Sequence, residues 1–288
     1  MRVSIITPTY NRSKLLSETI DSILNQNYPD LEYIVIDDGS IDDTQNLLSK
    51  NSERIKTHRL RSMGETASVI KGFSMVTGEI VCVVSSDDPL LPGSIQQVVE
   101  RFKKFPEAVA VYPNWYEIGP NSEQLREVYL PDYNINNMIK TYSWGLGPGT
   151  FFRRSVIDQV GGRDPERVYC GDMEFWAKVA IIGKLVHIPA MLATHRKHSD
   201  SASVNQLGKM FAAEWVDTWK SILNLPNLPL KLKKRKFWTL AIVHLIAARS
   251  YCGKDYIFSI LLIIHSIPYA LLGSISITKQ WFYRFLTK

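Results

Sequence analysis

Two pairs of adjacent carboxylates, Asp37-Asp38 in LEYIVIDDGS and Asp87-Asp88 in VCVVSSDDPL, each follow a run of residues suited to a buried strand. A lone Asp-Asp is ordinarily turn or capping chemistry. Two such pairs brought to one place would repel each other unless a cation or a donor-rich ligand stood between them. A hard divalent ion accepts carboxylate oxygens and takes waters and substrate phosphates as its other ligands. Asp38 could also accept a hydrogen bond from a heterocyclic N–H of the kind a nucleobase offers, while Asp-Gly favours a turn and Asp42 or Asp43 can cap the helix that follows. A third acidic stretch, GDMEFW, carries Asp172 and Glu174. Two residues apart on a helix, they differ by about 200°, so at most one points into a shared site.

The elements that must position these groups are legible in the spacing of apolar residues. VSIITP reads as a buried strand, and NRSKLLSETIDSILNQ places Leu15, Leu16, Ile20, Ile23 and Leu24 at helical spacing behind a cap at Asn11 or Ser13. LEYIVIDDGS is a second strand and DDTQNLLSK a short helix. RIKTHRL is a third strand, ETASVIKGFSMV a helix stopped at Gly78, and EIVCVVS a fourth strand. This rhythm implies βαβ crossovers and a mostly parallel sheet covered on both faces. Ligands of open α/β sheets bind beyond the carboxyl ends of the strands, so TPTYNR, DDGS and SSDD should converge on one crevice. The chain has no G-x-G-x-x-G after the first strand and no G-x-x-x-x-G-K-[ST], so a nucleotide there must be held in another way.

From about residue 92 to 196 the rhythm loosens into a helix, short strands near AVAVYPNWYEI, a glycine-rich turn WGLGPGTFFRR and a helix through GDMEFWAKVAIIG. Arg153 or Arg154 in the turn is expected near phosphates or the sheet edge. Composition then divides the chain. Residues 1–200 carry 22 Lys+Arg against 25 Asp+Glu, net −3, and residues 201–288 carry 12 against 3, net +9. The expected organisation is a domain over 1–205 and a basic, hydrophobic helical extension over 206–288. Cys82, Cys170 and Cys252 form no C-x-x-C, which excludes a zinc knuckle or disulfide framework of the usual spacing, and MRVSIITPTYNR reads as a first strand and not as a signal peptide.

The extension places LKLKKRKFW ahead of an apolar helix, followed by YIFSILLIIHSIPYALLGSISIT, 23 residues without a formal charge. As one helix this could span ~30 Å of hydrocarbon, whereas His265 and Pro268 near its middle favour two short helices in the interface. Transmembrane, interfacial and packed alternatives all remain open at this point. Apolar residues dominate around the basic cluster, which favours a membrane partner over nucleic acid.

VSIITPTYNRSKLLSETIDSILNQNYPDLEYIVIDDGSIDDT resembles the N-terminus of family 2 glycosyltransferases of GT-A fold, and the likeness continues through SMGETASVIKGFSMVTGEIVCVVSSDDPLLPGSI, GTFFRRSVIDQVGG, GDMEFWAKV and RKHSDSAS, over roughly residues 1–205. It implies an α/β fold with a Rossmann-like, mostly parallel sheet, and inverting transfer of a sugar from a nucleotide-diphosphate sugar, a UDP-sugar foremost, aided by Mg²⁺ or Mn²⁺. By position it implies that Thr7, Pro8, Tyr10 and Arg12 shape the nucleotide pocket, that Asp38 contacts the base, that Lys71 and Asp87 face the donor, and that Asp88 ligates the metal with His198 beside it. Asp172 matches the general base. Ser85 stands where the fuller D-x-D-D form has its first Asp, and Ala67 and Ile70 stand where the family often has Asp and Asn. The acceptor expected is a glycan or lipid-linked hydroxyl at the cytoplasmic face of a membrane. Competing readings are a nucleotidyltransferase, for which no glycine-rich Lys/Arg signature follows the first strand, and a catalytically silent subunit that binds sugar nucleotides at a membrane.

Overall fold

The structure, a computed structural model, describes residues 1–143, 145–198, 209–251 and 256–272. The chain divides into two compact units, Met1–Gln206 and Leu207–Lys288.

The first unit is built on an eight-stranded mixed sheet of order β3-β2-β1-β4-β7-β5-β6, with β8 along β5. Strands β1 (Val3–Thr9), β2 (Leu31–Asp37), β3 (Lys56–Arg59) and β4 (Ile80–Val83) run parallel, joined by helices α1 (Ser13–Leu24), α2 (Thr44–Lys50) and α3 (Glu65–Phe73). Alternation along β1 sorts its side chains. Val3 and Ile5 enter the core under α1, which contributes Leu16, Ile20 and Ile23. Ser4 and Ile6 face α3, where a Cβ on Gly72 would stand 2.4 Å from Cγ2 of Ile6, so glycine is what lets this helix approach the sheet. Helix α3 ends at Phe73, short of the expected stop at Gly78.

Beyond β4 the chain continues through α4 (Ser94–Lys104), β5 (Ala108–Ile118), β6 (Gln124–Val128), α5 (Ile135–Thr141), β7 (Phe151–Arg153), α6 (Ser155–Val160), α7 (Gly171–Ile182) and β8 (Lys184–Arg196). The short strands expected near AVAVYPNWYEI are one strand of 11 residues. Part of the glycine-rich turn is a strand: β7 pairs antiparallel with both β4 and β5 and joins the two halves of the sheet. Arg153 takes the sheet-edge position, donating to the carbonyls of Ala108 and Pro106 at 2.8 Å each. The 13-residue β8 has no counterpart in the sequence reading. Pro189 interrupts its pattern, and register shifts about Asn114 of β5 absorb the irregularity. On the α7 face, Phe73, Phe152 and Phe175 form an aromatic cluster with ring centroids 5.2 to 5.8 Å apart.

The second unit comprises α8 (Lys209–Leu223), α9 (Leu230–Lys233), α10 (Lys236–Tyr251) and α11 (Tyr256–Leu272), with α10 packed on both α8 and α11. Its core includes Trp219, Ile222, Leu232 and Val243. The expected break at Pro268 does not occur, because this proline lies inside α11. The last part of the uncharged stretch, residues 273–278, lies outside the described residues, as do Ser199–Ser203 of RKHSDSAS and Cys252. Among the described residues no helix is long and apolar enough to cross a membrane.

Candidate functional site

The acidic pair after β4 sits on a loop sewn to its neighbours on both sides. The Val84 N–H extends the β1 pairing by donating to Ile6 O at 2.9 Å, and Leu91 N–H donates to Leu192 O at 3.0 Å. The Thr194 hydroxyl donates to Pro89 O at 2.7 Å. Between these stitches Asp87 Oδ2 accepts Arg12 Nη1 at 2.7 Å and stands 2.8 Å from His198 Nε2. Asp88 Oδ1 accepts the Arg196 N–H at 2.8 Å. Both carboxylates are buried, and burial together with the adjacent Asp87 charge pushes the Asp88 carboxyl well above the usual carboxylate range.

Arg196 organises this corner. Its side chain is fully buried, donates from Nε to Asp87 O at 2.9 Å and from Nη1 to Gly119 O at 3.1 Å and Ser122 Oγ at 3.0 Å, and pairs through Nη2 with Glu18 at 2.6 Å. One guanidinium thereby ties the acidic loop to the end of β8, the β5–β6 turn and α1. Its signal in the sequence is a charge in the inward register of β8, after Leu192 and Thr194. Glu18 and Ser122 carry no such signal.

At the end of β2 the two aspartates divide their work. Asp37 accepts Ser40 N at 2.9 Å, takes a hydrogen bond from Gln45 and pairs with Arg59 at 3.4 Å, which holds the turn. Asp38 accepts the N–H groups of Met63 and Gly64, each at 2.7 Å, and so sets the loop that enters α3. Each of its oxygens has a second lone pair to offer a ligand. The loops after β1 and β2 are cross-linked: Asn11 N–H donates to Ser40 Oγ at 2.9 Å, and Ile41 N–H donates to Asn11 Oδ1 at 2.8 Å. The cap expected from Asn11 or Ser13 comes instead from Asp42, whose carboxylate accepts Ser13 N at 2.9 Å and Thr44 N at 3.1 Å.

The geometry separates Asp172 from Glu174. Glu174 is buried and pairs with Arg167 and Lys178, each at 3.1 Å. Asp172, in the first turn of α7, reaches solvent, and its Oδ1 accepts the N–H of Met173 at 2.7 Å. Protein surrounds it closely enough that burial raises its carboxyl above the usual range, the Arg163 guanidinium opposing and the Glu65 charge adding to the rise. Arg163 pairs with Glu65 at 3.2 Å, and Thr66 Oγ1 donates to Arg167 O at 2.7 Å, so the segment before α7 is fastened to the N-terminus of α3. Arg163 escaped the sequence reading, and its Nε is buried without a hydrogen-bond partner among the described residues.

Arg12 and His198 thus meet Asp87 directly, with Asp88 next to it on the same loop, while Asp38 holds the N–H groups at the entry to α3 and Asp172 feels the charge of Glu65, the first residue of that helix. Thr7 is fully buried, its hydroxyl accepting from Tyr33 at 3.1 Å, and Pro8 is buried just beyond the last β1–β4 pair, where its missing N–H costs no ladder bond. Tyr10 is half exposed at the mouth. Lys71 lies in the last turn of α3, about 9 Å along the axis from Glu65.

Among the described residues no group of three or more His, Cys, Asp or Glu is placed to hold a metal ion. The donor set nevertheless fits a hard divalent ion that takes one or two carboxylates from protein and its remaining ligands from phosphates and water. Asp88 is a buried carboxylate whose charged form is disfavoured, a condition that an adjacent cation relieves.

A family model described as "Glycosyl transferase family 2" matches residues 4–161. The GalNAc(5)-diNAcBac-PP-undecaprenol beta-1,3-glucosyltransferase of Campylobacter jejuni is 37% identical over 105 residues, 35% of this chain and 34% of that enzyme. The alignment with another curated relative spans 65% of its length, so the chain matches less than two thirds of either protein. Among solved structures, TarS residues 1–349 of S. aureus in complex with UDP-GlcNAc superposes with a TM-score of 0.73 at 19% identity, over 92% of this chain and 79% of that one. The mannosyltransferase PcManGT of Pyrobaculum calidifontis, in complex with GDP-Man and Mn²⁺, gives 0.59 at 16% identity, over 95% and 83%. These likenesses establish a GT-A fold, and with strand-end carboxylates in the order of its motifs and a family match over more than half its length, the chain belongs to glycosyl transferase family 2.

Proposed function

We propose that the chain is an inverting glycosyltransferase that moves a sugar from a nucleoside-diphosphate sugar, UDP-linked sugars foremost, to a hydroxyl of a glycan or lipid-linked acceptor at the cytoplasmic face of a membrane. The observation that carries this reading is the division of the acidic positions by environment: Asp87 and Asp88 are buried and tied in place, whereas Asp172 reaches solvent. Asp172 accepts the proton of the acceptor hydroxyl as that oxygen bonds to the anomeric carbon and the bond to the nucleoside diphosphate breaks, the electron pair leaving with the phosphate. The protein packed around it, which raises its proton affinity although the side chain reaches solvent, makes it a stronger base than an open carboxylate. Arg12 and His198 hold Asp87 toward the donor, and Asp38, with Tyr10, borders the base. Asp88 would hold Mg²⁺ or Mn²⁺, which when bound neutralises charge on the departing diphosphate.

The test is a panel of nucleotide sugars with Mg²⁺ or Mn²⁺, followed by product analysis. Free nucleoside diphosphate is expected. Asp172→Asn should lower turnover by about 10²-fold or more while leaving donor binding intact. Release of inorganic diphosphate would instead identify nucleotidyl transfer, and donor binding without turnover would identify a silent binding subunit.

A further inference from the structure

Helix α11 is turned inside out for a water-facing helix. Ser259, Leu262 and Ser266, three or four residues apart, are buried, and His244 of α10 stacks on Tyr269 with ring centroids 5.1 Å apart. The outward face carries Ile257, Ile260, Leu261, Ile263, Ile264 and Ile267, each between 45% and 75% exposed. An amphipathic helix in water buries its isoleucines and shows its serines. Small polar residues against a neighbouring helix, with branched aliphatic residues outward, are the arrangement that lipid favours. Over its 17 described residues the helix is about 25 Å long, and its exposed aliphatic side chains share one side of it, which suits it to lie along a bilayer surface.

A second observation says what covers this face. From residue 218 to 254 the chain carries eight Lys or Arg and no Asp or Glu. Five of them, Lys231, Lys233, Lys234, Arg235 and Lys236, fall in and just after α9, and Leu230 and Phe237 stand exposed at the two ends of that cluster. Apolar anchors beside a run of positive charge with no acidic residue along it match the headgroup boundary of an anionic bilayer, where phosphates meet acyl chains. A second copy of the chain would bring the same positive charge against itself.

We propose that the second unit docks on anionic lipid, α11 lying in the interface with its isoleucine face in the acyl region and the Lys231–Lys236 cluster on headgroup phosphates. The inference deepens the membrane part of the function proposed above and is independent of its catalytic part, because lipid binding and sugar transfer are read in separate assays.

The experiment is co-sedimentation of the full chain with vesicles of phosphatidylcholine alone or with 30% phosphatidylglycerol, at low and high salt. Binding is expected to the anionic vesicles and to weaken with salt. The triple variant I260S/I264S/I267S should bind about tenfold or more weakly, and K233Q/K234Q/R235Q should lose the preference for anionic lipid. Circular dichroism and thermal midpoints confirm that both variants stay folded, since the altered side chains are largely outside the core. Binding unchanged in the triple variant, binding indifferent to lipid charge, or a chain that ignores vesicles and forms a dimer abolished by the triple variant would each overturn the proposal.

Discussion

At the scale of single residues the site depends on who satisfies whom. Asp87 and Asp88 are adjacent, yet one meets the side chains of Arg12 and His198 and the other the Arg196 N–H and the Ser85 hydroxyl. Arg196 makes this possible by anchoring the loop from beneath. A lysine there keeps the charge but presents three donors from one point, and cannot reach the carbonyls, Ser122 and Glu18 together. Arg196→Lys is therefore expected to lower stability by about 3 kcal/mol, read from urea unfolding, and to lower kcat with cognate donor more than it raises KM. An unchanged kcat in a folded variant would mean that Arg196 supports the fold without positioning the acidic loop. The residue types at the three acidic positions were legible in the sequence. The split between Asp172 and Glu174 was not, because it depends on Arg167 and Lys178 claiming Glu174.

At the scale of elements, the parallel half was readable because each βαβ unit announces itself by a change of apolar period from two to about 3.6. The antiparallel half hid itself. Strand β7 is three residues long, and β8 carries Pro189 opposite the bulged stretch of β5, so neither shows clean alternation. Where α3 meets β1 the contact rests on one missing methyl. Gly72→Ala would set its Cβ 2.4 Å from Cγ2 of Ile6, and the resulting overpacking should cost about 1–3 kcal/mol despite alanine's better helix propensity, a loss visible as a lower thermal midpoint. A higher midpoint would mean that α3 moves away from the sheet without penalty.

At the scale of the whole molecule, stability should depend on acid through a cluster remote from the site. Glu32 is buried where β1, β2, β3 and the turn between α3 and β4 meet, and accepts Lys56 Nζ at 2.7 Å and Thr77 N–H at 2.8 Å, along with the Ser4 hydroxyl. Burial alone would raise its carboxyl, but the hydrogen bonds from Lys56, Ser4 and Thr77 outweigh it and hold the group at about 2. Folding therefore favours the charged form. Its contribution, up to roughly 3 kcal/mol, is complete above the unfolded value near 4.3 and disappears as the pH falls through about 2. Urea midpoints measured from pH 7 down to pH 2.5 should fall more steeply for the native chain than for Glu32→Gln, and parallel curves would remove Glu32 from the acid response.

By itself the sequence determined the period of each buried element, the turn chemistry at the strand ends and the division of charge between the two parts of the chain, since these depend on residues close together along it. It also carried the family resemblance, in motifs kept in order. Tertiary structure decided which carboxylates are buried and which reaches water, that α11 runs through Pro268, and that its isoleucines face outward. Each of these outcomes turns on which distant side chain fills the neighbouring space, and local periodicity contains no information about that.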